Sequence, residues 1–218
     1  MPTRQITALI VPIDGGDPLP TIEAVDSALR DYPGDHTILV VSPEKAPANE
    51  NPHDSEESTA KTLRLIWEQH PALHPLRLIA GWRLALQQKS DLIFTTDDSW
   101  CPDPKEITKF LNLYESGARI VAGRRPETTY LENIQRKWTK FTSRSNLSDP
   151  SSPVRLYDRK ALQIILDQDN LNNPKYLTTS KSSSRICSDK TALLTHTIAT
   201  LERKSGFATK ETPATLLT

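Results

Sequence analysis

The sequence LRLIAGWRLALQQKSDLIFTTDDSWCPDPKEITKFLNLYESGARIVAGRR, residues 76–125, contains the pattern on which the fold prediction depends. Its apolar run DLIFTT, residues 91–96, is typical of a strand that is buried on both faces of a parallel sheet. Asp97 and Asp98 follow this strand directly. Because ligands of open α/β sheets bind at the carboxyl ends of the strands, the stretch predicts a polar site at one edge of a sheet.

Amphipathic segments lie on both sides of this strand in the sequence. Leu78, Leu84 and Leu86 belong to an apolar pattern that predicts a helix of about three turns before the strand. The segment KEITKFLNL at residues 105–113 predicts a second helix, and ARIVA at residues 118–122 predicts a second strand. Alternating helices and strands of this kind predict an α/β fold with helices on both faces of the sheet.

Other apolar segments extend the same pattern. The runs ITALIVPI at residues 6–13 and TILVV at residues 37–41 predict strands, and an amphipathic segment at residues 21–30 predicts the helix between them. Such a β-α-β unit predicts a parallel pair of strands with a right-handed crossover. The segment VRLYDRKALQIIL at residues 154–166 predicts a short strand followed by a helix.

Two more segments have helical periodicity. The spacing of Leu63, Ile66 and Trp67 predicts a helix over residues 59–69. A second helix is predicted over residues 127–144, half-buried and with Trp138 in the core. The apolar residues of this second helix recur at intervals of three and four, at Leu131, Ile134, Trp138 and Phe141. Basic residues between them leave open that this helix lies on a membrane surface.

Length and composition indicate one domain with an extension. We expect a single domain over residues 1–201 and a flexible tail over residues 202–218. Within the domain, the acidic, proline-rich segment at residues 43–58 and the polar segment at residues 168–190 predict a mobile loop and a long polar loop.

Charge and cysteine content exclude several classes of function. The 27 basic and 27 acidic residues cancel, so no overall positive field would recruit nucleic acid. Cys101 and Cys187 form no disulfide framework, which favours a cytoplasmic protein. No apolar run reaches the roughly 18 residues that a membrane-spanning helix needs. The sequence does not indicate an oligomeric state.

Several motifs, in the same order as in one known family, resemble inverting glycosyltransferases of the GT-A fold. The resemblance is nearest to dolichol-phosphate mannose synthases and other polyprenyl-phosphate glycosyltransferases. TDDSWCPDP stands where that family has Asp-x-Asp followed by a proline, and GARIVAGRR is similar to its strand ending in Gly-Ser-Arg. DPSSPVRLYDRKAL at residues 149–162 is similar to Asp-x-x-Ser-Gly-Phe-Arg, and RKSGFATK at residues 203–210 resembles a terminal Arg…Gly…Ser-Lys.

This resemblance implies both a fold and a reaction. The fold would be a Rossmann-like, mostly parallel α/β sheet of the nucleotide-diphospho-sugar transferase type. The reaction would move a sugar from a nucleoside-diphosphate sugar to a phosphate-bearing, polyprenyl-phosphate-like acceptor with inversion. Mg²⁺ or Mn²⁺ would neutralise the leaving diphosphate. A lipid acceptor would bring the cytoplasmic domain to the cytosolic face of a membrane, by peripheral association.

The same resemblance implies roles for individual residues. Asp98 would hold the metal beside Asp97, and Arg125 would act with this pair in catalysis. Arg203 and Lys210 would close over the donor diphosphate. The donor site as a whole would contain Pro12, Asp14, Ser42, Glu44, Thr96, Asp97, Arg203 and Lys210. The acceptor site would contain Arg125, Ser152, Arg155 and Trp100, with Trp100 able to stack on a base or sugar.

The motifs depart from the family pattern at carboxylate positions. Thr96 replaces the first acid of Asp-x-Asp, and Ser42 and Pro43 stand where the family has an Asp-Asp pair. A threonine can form a hydrogen bond with ribose but cannot help to neutralise a metal ion. The alternative prediction is therefore a catalytically inactive GT-A-like binding or scaffolding domain. A nucleotidyltransferase is a third hypothesis, but the first loop, PIDGGDPLP, contains no lysine.

Overall fold

The structure is a computed structural model of the whole chain, and the residues that it describes form a seven-stranded sheet with helices packed on both faces. They are residues 4–13, 16–30, 32–46, 63–71, 74–98, 103–125, 146–150, 152–167 and 202–213, with the single positions 134, 137, 138, 140, 141, 144 and 200. The strands are β1 (Ile6–Ile10), β2 (His36–Ser42), β3 (Leu63–Gln69), β4 (Leu92–Thr96), β5 (Ile120–Arg124), β6 (Arg155–Asp158) and β7 (Thr209–Pro213). The helices are α1 (Leu19–Leu29), α2 (His74–Gln87), α3 (Pro104–Glu115) and α4 (Arg159–Leu166).

The seven strands form one mixed sheet in the order β3-β2-β1-β4-β6-β5-β7. β1 is parallel to β2 and β4, β2 is parallel to β3, and β5 is parallel to β7. β6 is antiparallel to both of its neighbours, β4 and β5. The carboxyl ends of the six parallel strands therefore meet at one edge of the sheet, which also receives the amino end of β6. We call this the carboxyl edge; the predicted mostly parallel α/β sheet is confirmed.

Helices cover both faces of the sheet, as the sequence predicts. On one face, Ile6, Ala8 and Ile10 of β1 belong to a buried cluster with residues of α1 and α3. On the other face, Leu9 packs in a second cluster with residues of α2 and α4, including Trp82. Trp82 is buried, and its ring packs edge-on against Tyr157 at 5.5 Å between centroids. Burial on both faces explains the uninterrupted apolar runs of these strands.

The prediction of a helix over residues 59–69 is wrong where the structure describes this segment. Leu63–Gln69 is the edge strand β3, which pairs in parallel with β2. Leu65 and Trp67 pack on the α1 and α3 face, whereas Ile66 packs on the opposite face. This alternation has a period of two residues, which the spacing of three apolar residues could not distinguish from a helical period. Residues 59–62 lie outside the described part of the chain.

The carboxyl-terminal segment differs from the flexible tail that the sequence predicts. Thr209–Pro213 is strand β7, with Thr209 opposite Ile120 and Lys210 opposite Val121 of β5. Its sequence, TKETP, lacks an apolar run because β7 is an edge strand and only one of its residues, Thr212, is buried. Of the two loops predicted inside the domain, residues 47–58 and 168–190 lie outside the described residues.

The segment predicted as a half-buried helix over residues 127–144 is described at six positions only. Residues 134, 137, 138, 140 and 141 are helical there, in agreement with the periodicity. The expected core position of Trp138 is wrong, because this residue is 68 % exposed. In the part of the chain that the structure describes, none of the helices combines the length and apolar character that a bilayer crossing requires.

We expect Gly81→Ala to destabilise the fold, because α2 packs closely against the Leu9 side chain of β1 at Gly81. A Cβ atom added at this position would lie 2.5 Å from Cδ1 and 2.9 Å from Cδ2 of Leu9, which is fully buried. Overpacking of a core site costs about 1–3 kcal/mol, which exceeds the gain of about 1 kcal/mol in helix propensity. Urea unfolding followed by tryptophan fluorescence measures the difference. A variant as stable as the parent would contradict this close packing, and adding Leu9→Val to Gly81→Ala is expected to recover part of the loss.

Candidate functional site

The acidic pair predicted from the sequence lies at the carboxyl edge, where β4 ends. Asp98 Oδ1 accepts a hydrogen bond from the backbone N–H of Ile13, in the loop that follows β1. A Cβ atom added to Gly16 in the same loop would lie 1.3 Å from Asp98 Oδ2. The Asp98 carboxylate therefore closes against the β1 loop, and only a glycine at position 16 leaves room for it.

Asp97 and Thr96 lie deeper than Asp98. Both are buried, and the hydroxyl of Thr96 donates to the backbone oxygen of Asp97 at 3.3 Å. Behind them, Trp82 Nε1 donates to Thr95 Oγ1 at 3.1 Å, which fixes the end of β4 against α2. Asp98, which is only half-buried, thus presents the more accessible carboxylate of the pair.

The carboxylates at this edge do not make a complete metal cage. Among the residues that the structure describes, no three His, Cys, Asp or Glu side chains group closely enough to hold a metal ion by themselves. Mg²⁺ and Mn²⁺ often bind through one or two carboxylates, with phosphate oxygens and waters completing the shell. Asp98 with Asp97 beside it fits a site of this kind, in which the oxygens of a bound diphosphate would supply the other metal ligands.

Two side chains from the start of α2 hold the β1 loop from the other side. Arg77 Nη2 donates to the backbone oxygen of Pro12 at 2.7 Å, and the ring of His74 hydrogen-bonds the backbone oxygen of Val11 at 3.1 Å. Arg77 is only 1 % exposed. It places a buried positive charge next to the predicted donor site, which the sequence reasoning missed. The available signal was its position four residues before Gly81, on the helix face that packs against the sheet.

The end of β2 also lies at the carboxyl edge, beside the predicted donor site. Ser42 Oγ accepts the backbone N–H of Glu44 at 3.1 Å, and Trp67 Nε1 donates to the backbone oxygen of Glu44 at 3.0 Å. Pro12, Ser42, Glu44, Thr96 and Asp97 are thus all at the edge where the sequence predicts the donor site. Their contribution to donor binding stays a prediction.

Arg125, at the end of β5, is held in a fixed orientation. Its Nε and Nη2 donate to the two carboxylate oxygens of Asp149 at 2.8 and 3.1 Å, and Asp149 is completely buried. The backbone N–H groups of Asp149 and Ser148 in turn donate to the Glu211 carboxylate of β7, at 2.8 and 3.0 Å. A bidentate pair of this kind orients the guanidinium plane. Arg125 is therefore a partly exposed and oriented cation at the carboxyl edge.

Arg155, the other arginine predicted to bind the acceptor, lies inside the protein. It is 4 % exposed and forms an ion pair with Glu202, which is also buried. Its Nη2 donates to the backbone oxygen of Pro150 at 2.6 Å and its Nε to that of Ser152 at 3.1 Å. These contacts anchor the start of β6 in the protein. An acceptor contact by Arg155 stays a prediction, and it would compete with these partners.

Charge stabilises the Arg155 ion pair. Burial is the largest single influence and would lower the pKa of Arg155, but the charge and hydrogen bond of Glu202, together with Tyr157 and Asp149, outweigh it and raise the pKa above its ordinary value. Tyr157 donates its hydroxyl to Glu202 Oε1 at 2.8 Å. Burial first and the charge of Glu202 second raise the pKa of Tyr157 well above its ordinary value. Arg155 is therefore a charged group and Tyr157 a neutral donor at any physiological pH.

The remaining predicted site residues are spread over the fold. Ser152 is buried at the carboxyl edge, where its Oγ accepts the backbone N–H of Val154 at 3.2 Å. Arg203 lines a cavity of about 210 Å³ beside β7, together with residues that include Phe207 and Glu211. Lys210 Nζ donates to Ser116 Oγ at 2.8 Å, after the end of α3 and so near the opposite edge of the sheet. Asp14 and Trp100 lie outside the described residues.

The structure thus brings Asp97, Asp98, Ser42, Glu44 and Arg125 to the carboxyl edge. It differs from the expected lid of Arg203 and Lys210, because Lys210 is part of strand β7 and its amine points away from that edge. The physical reason is pairing with β5, which satisfies the backbone of residues 209–213 within the sheet.

Comparison with known proteins identifies the fold. Neither a protein-family model nor a curated protein sequence matches the chain. Solved structures of glucosyl-3-phosphoglycerate synthase from Mycobacterium tuberculosis do match. The complex with Mn²⁺ and UDP-glucose has 13 % identity and a TM-score of 0.54, over 99 % of this chain and 72 % of that one. The complex with phosphoglyceric acid has 12 % identity and a TM-score of 0.51, with the same coverage.

A third structure, of the same synthase with Mn²⁺, UDP-glucose and glycerol 3-phosphate, has 15 % identity and a TM-score of 0.52. It covers 99 % of this chain and 73 % of the synthase. At such identities the likeness shows the fold alone. The chain has the GT-A fold, as the sequence predicts, and these structures do not single out the dolichol-phosphate mannose synthase branch.

Proposed function

We propose that the chain is a glycosyltransferase that moves a sugar from a nucleoside-diphosphate sugar to a phosphate-bearing acceptor, assisted by a divalent cation. The observation that carries this proposal is the grouping of Asp97, Asp98 and Arg125 at the carboxyl edge of a GT-A sheet. The matching synthase structures support it, because they contain a nucleotide sugar, Mn²⁺ and small phosphate-bearing acceptors.

On the donor side, the residues of this chain would bind and orient a diphosphate. Asp98, with Asp97 beside it, would hold Mg²⁺ or Mn²⁺ jointly with the diphosphate. A cation in that position supplies neutralisation of the charge that develops on the leaving diphosphate. Arg77 fixes the β1 loop through Pro12, so the backbone that faces the donor is already ordered before the donor binds. Ser42 and Glu44, at the end of β2, would contact the nucleoside.

On the acceptor side, Arg125 would bind the phosphate. Asp149 holds its guanidinium from one side, so the cation is oriented before a ligand arrives. An acceptor that attacks through a phosphate oxygen is already an anion and needs no strong general base. Direct displacement of the diphosphate by that oxygen would invert the anomeric carbon. A polyprenyl phosphate and a small soluble phosphate both have this chemistry; with the former, the reaction would take place at the cytosolic face of a membrane.

One observation favours a second candidate, an inactive GT-A domain that binds or scaffolds. The Asp98 carboxylate is already hydrogen-bonded by Ile13 and packed against Gly16, and Thr96 supplies no charge beside it. A cation would therefore have to compete with the β1 loop for Asp98. This competition predicts weak metal binding in the absence of a nucleotide.

Calorimetric titration separates the two functions. We expect UDP or GDP to bind the full chain in the presence of Mn²⁺, to lose binding when a chelator is added, and Mn²⁺ alone to bind weakly. Transfer is then tested with UDP-glucose and GDP-mannose, using 3-phosphoglycerate and a short polyprenyl phosphate as acceptors, with NMR of the product to establish the anomer. If neither nucleotide binds at millimolar concentration with Mn²⁺ present, the result contradicts the transferase and supports the catalytically inactive binding or scaffolding domain.

A further inference from the structure

The connection between β5 and β6 exposes an unusual amount of apolar surface. Ile134 is 48 % exposed, Trp138 68 % and Phe141 79 %. All three positions are helical, and their spacing of four and three residues places them on one face of the helix. We call these three residues the apolar stripe. A row of large apolar side chains with about half or more of their surface exposed to solvent marks a surface for a partner.

The charge around the stripe indicates the chemistry of that partner. Residues 134–148 include four basic residues, Arg136, Lys137, Lys140 and Arg144, and no acidic residue. Lys137, Lys140 and Arg144 are exposed. With roughly 100° of rotation per residue, Lys137 lies at the border of the stripe, about 70° from its centre, and Lys140 lies on the same side at about 130°, from where its long side chain can extend toward the stripe. The surface is therefore apolar with a cationic border.

We propose that the apolar stripe docks the domain on an anionic lipid surface. Trp, Phe and Ile side chains can insert at the boundary between headgroups and acyl chains, while lysines beside them contact anionic headgroups. A second copy of the chain is a poorer occupant, because two such surfaces would bring their lysines together without compensating acids. Three side chains are also a small patch compared with the interface of a stable dimer.

The place of the stripe in the chain relates docking to the proposed reaction. The connection leaves the sheet after Arg125 and returns before Ser152, so both of its ends are at the carboxyl edge. Docking would hold this edge close to the lipid headgroups, where a membrane-embedded phosphate could reach Arg125. Docking itself requires neither donor nor turnover, so its failure and the failure of the proposed transferase are separate results.

Co-sedimentation of the full chain with large unilamellar vesicles tests the proposal. We expect binding to phosphatidylcholine vesicles that contain phosphatidylglycerol and much weaker binding to pure phosphatidylcholine. Lys137→Gln with Lys140→Gln is expected to lower the partition coefficient about 30-fold, since each lysine near an anionic surface is worth about 1 kcal/mol. Trp138→Ala with Phe141→Ala is expected to lower it at least about 30-fold as well, because the loss of apolar burial is larger still.

The matched controls replace side chains of the same kinds that are exposed on helices outside the apolar stripe. Ile164→Ala removes an exposed apolar side chain from α4, and Lys105→Gln with Lys160→Gln removes two exposed lysines from α3 and α4. These variants are expected to bind vesicles like the parent. Absence of binding to anionic vesicles, or equal binding by the Trp138→Ala, Phe141→Ala variant, would overturn the proposal. So would a dimer in analytical ultracentrifugation that this double variant abolishes.

Discussion

Replacing Glu202 by alanine is expected to lower the free energy of unfolding by about 3–5 kcal/mol, because the buried positive charge of Arg155 would lose its ion-pair partner. Glu202 is 2 % exposed and is the ion-pair partner of Arg155. Without the carboxylate, the guanidinium keeps its charge but has lost the group that offsets its desolvation. Tyr157 loses the acceptor of its buried hydroxyl in the same substitution.

Two further variants distinguish the charge from the shape of this side chain. Glu202→Gln keeps an oxygen that can accept from Tyr157 but has no charge for Arg155, so we expect a loss smaller than that of Glu202→Ala. Glu202→Leu with Arg155→Met removes both charges together, and we expect the double variant to be more stable than Glu202→Ala alone. Apolar replacement of a whole buried pair is often neutral, whereas removal of one partner is not.

An exposed ion pair is the matched control for the buried one. Arg4 pairs with Glu115 on the surface, where the side chains are 29 % and 45 % exposed. Because solvent screens such a pair, Glu115→Ala is expected to change the free energy of unfolding by no more than about 1 kcal/mol. Urea unfolding at neutral pH, followed by fluorescence, measures all four variants. A Glu202→Ala loss no larger than the Glu115→Ala loss would show that Arg155 finds another partner or water.

The Glu202 contact also shows where sequence reasoning stops. The sequence predicts DLIFTT as a central strand and the acidic pair at its end, because a doubly buried strand needs an uninterrupted apolar run. The role of Arg155 could not be predicted in the same way. Its motif suggests a phosphate ligand, but its ion-pair partner is 47 residues away along the chain, in a segment that has the composition of a tail. A short-range sequence pattern cannot predict an ion pair between residues so far apart along the chain.

The sequence predictions also differ from the structure at the edge strands and at the exposed apolar residues, and these differences have one cause. β3 and β7 are the outermost strands of the sheet, so each has few residues that must be apolar, and short-range periodicity is then ambiguous. Periodicity likewise detects the helix that contains Trp138 but does not tell which surface its apolar face meets. In each of these cases the missing information is tertiary packing rather than local preference.

The largest effect on activity is expected from Asp98→Asn, which removes the charge of the candidate metal ligand and keeps its size. The amide oxygen can still accept from the Ile13 N–H, and the side chain still fits beside Gly16. We therefore expect the free energy of unfolding to stay within about 0.5 kcal/mol of the parent. If a cation on Asp98 contributes several kcal/mol to stabilising the transition state, the rate of sugar transfer should fall about 10³-fold.

Asp98→Ala separates the structural role of Asp98 from its chemical one. This variant loses both the charge and the acceptor for Ile13, so it should lose the same activity and, in addition, about 1 kcal/mol of stability. Asp35→Ala, which removes an exposed carboxylate from the amino end of β2, should change neither quantity. Initial transfer rates at saturating donor and Mn²⁺, with urea unfolding of the same samples, measure both effects. If Asp98→Asn transferred sugar as fast as the parent, Asp98 would serve only to hold the β1 loop, and the cation would have to bind elsewhere on the carboxyl edge.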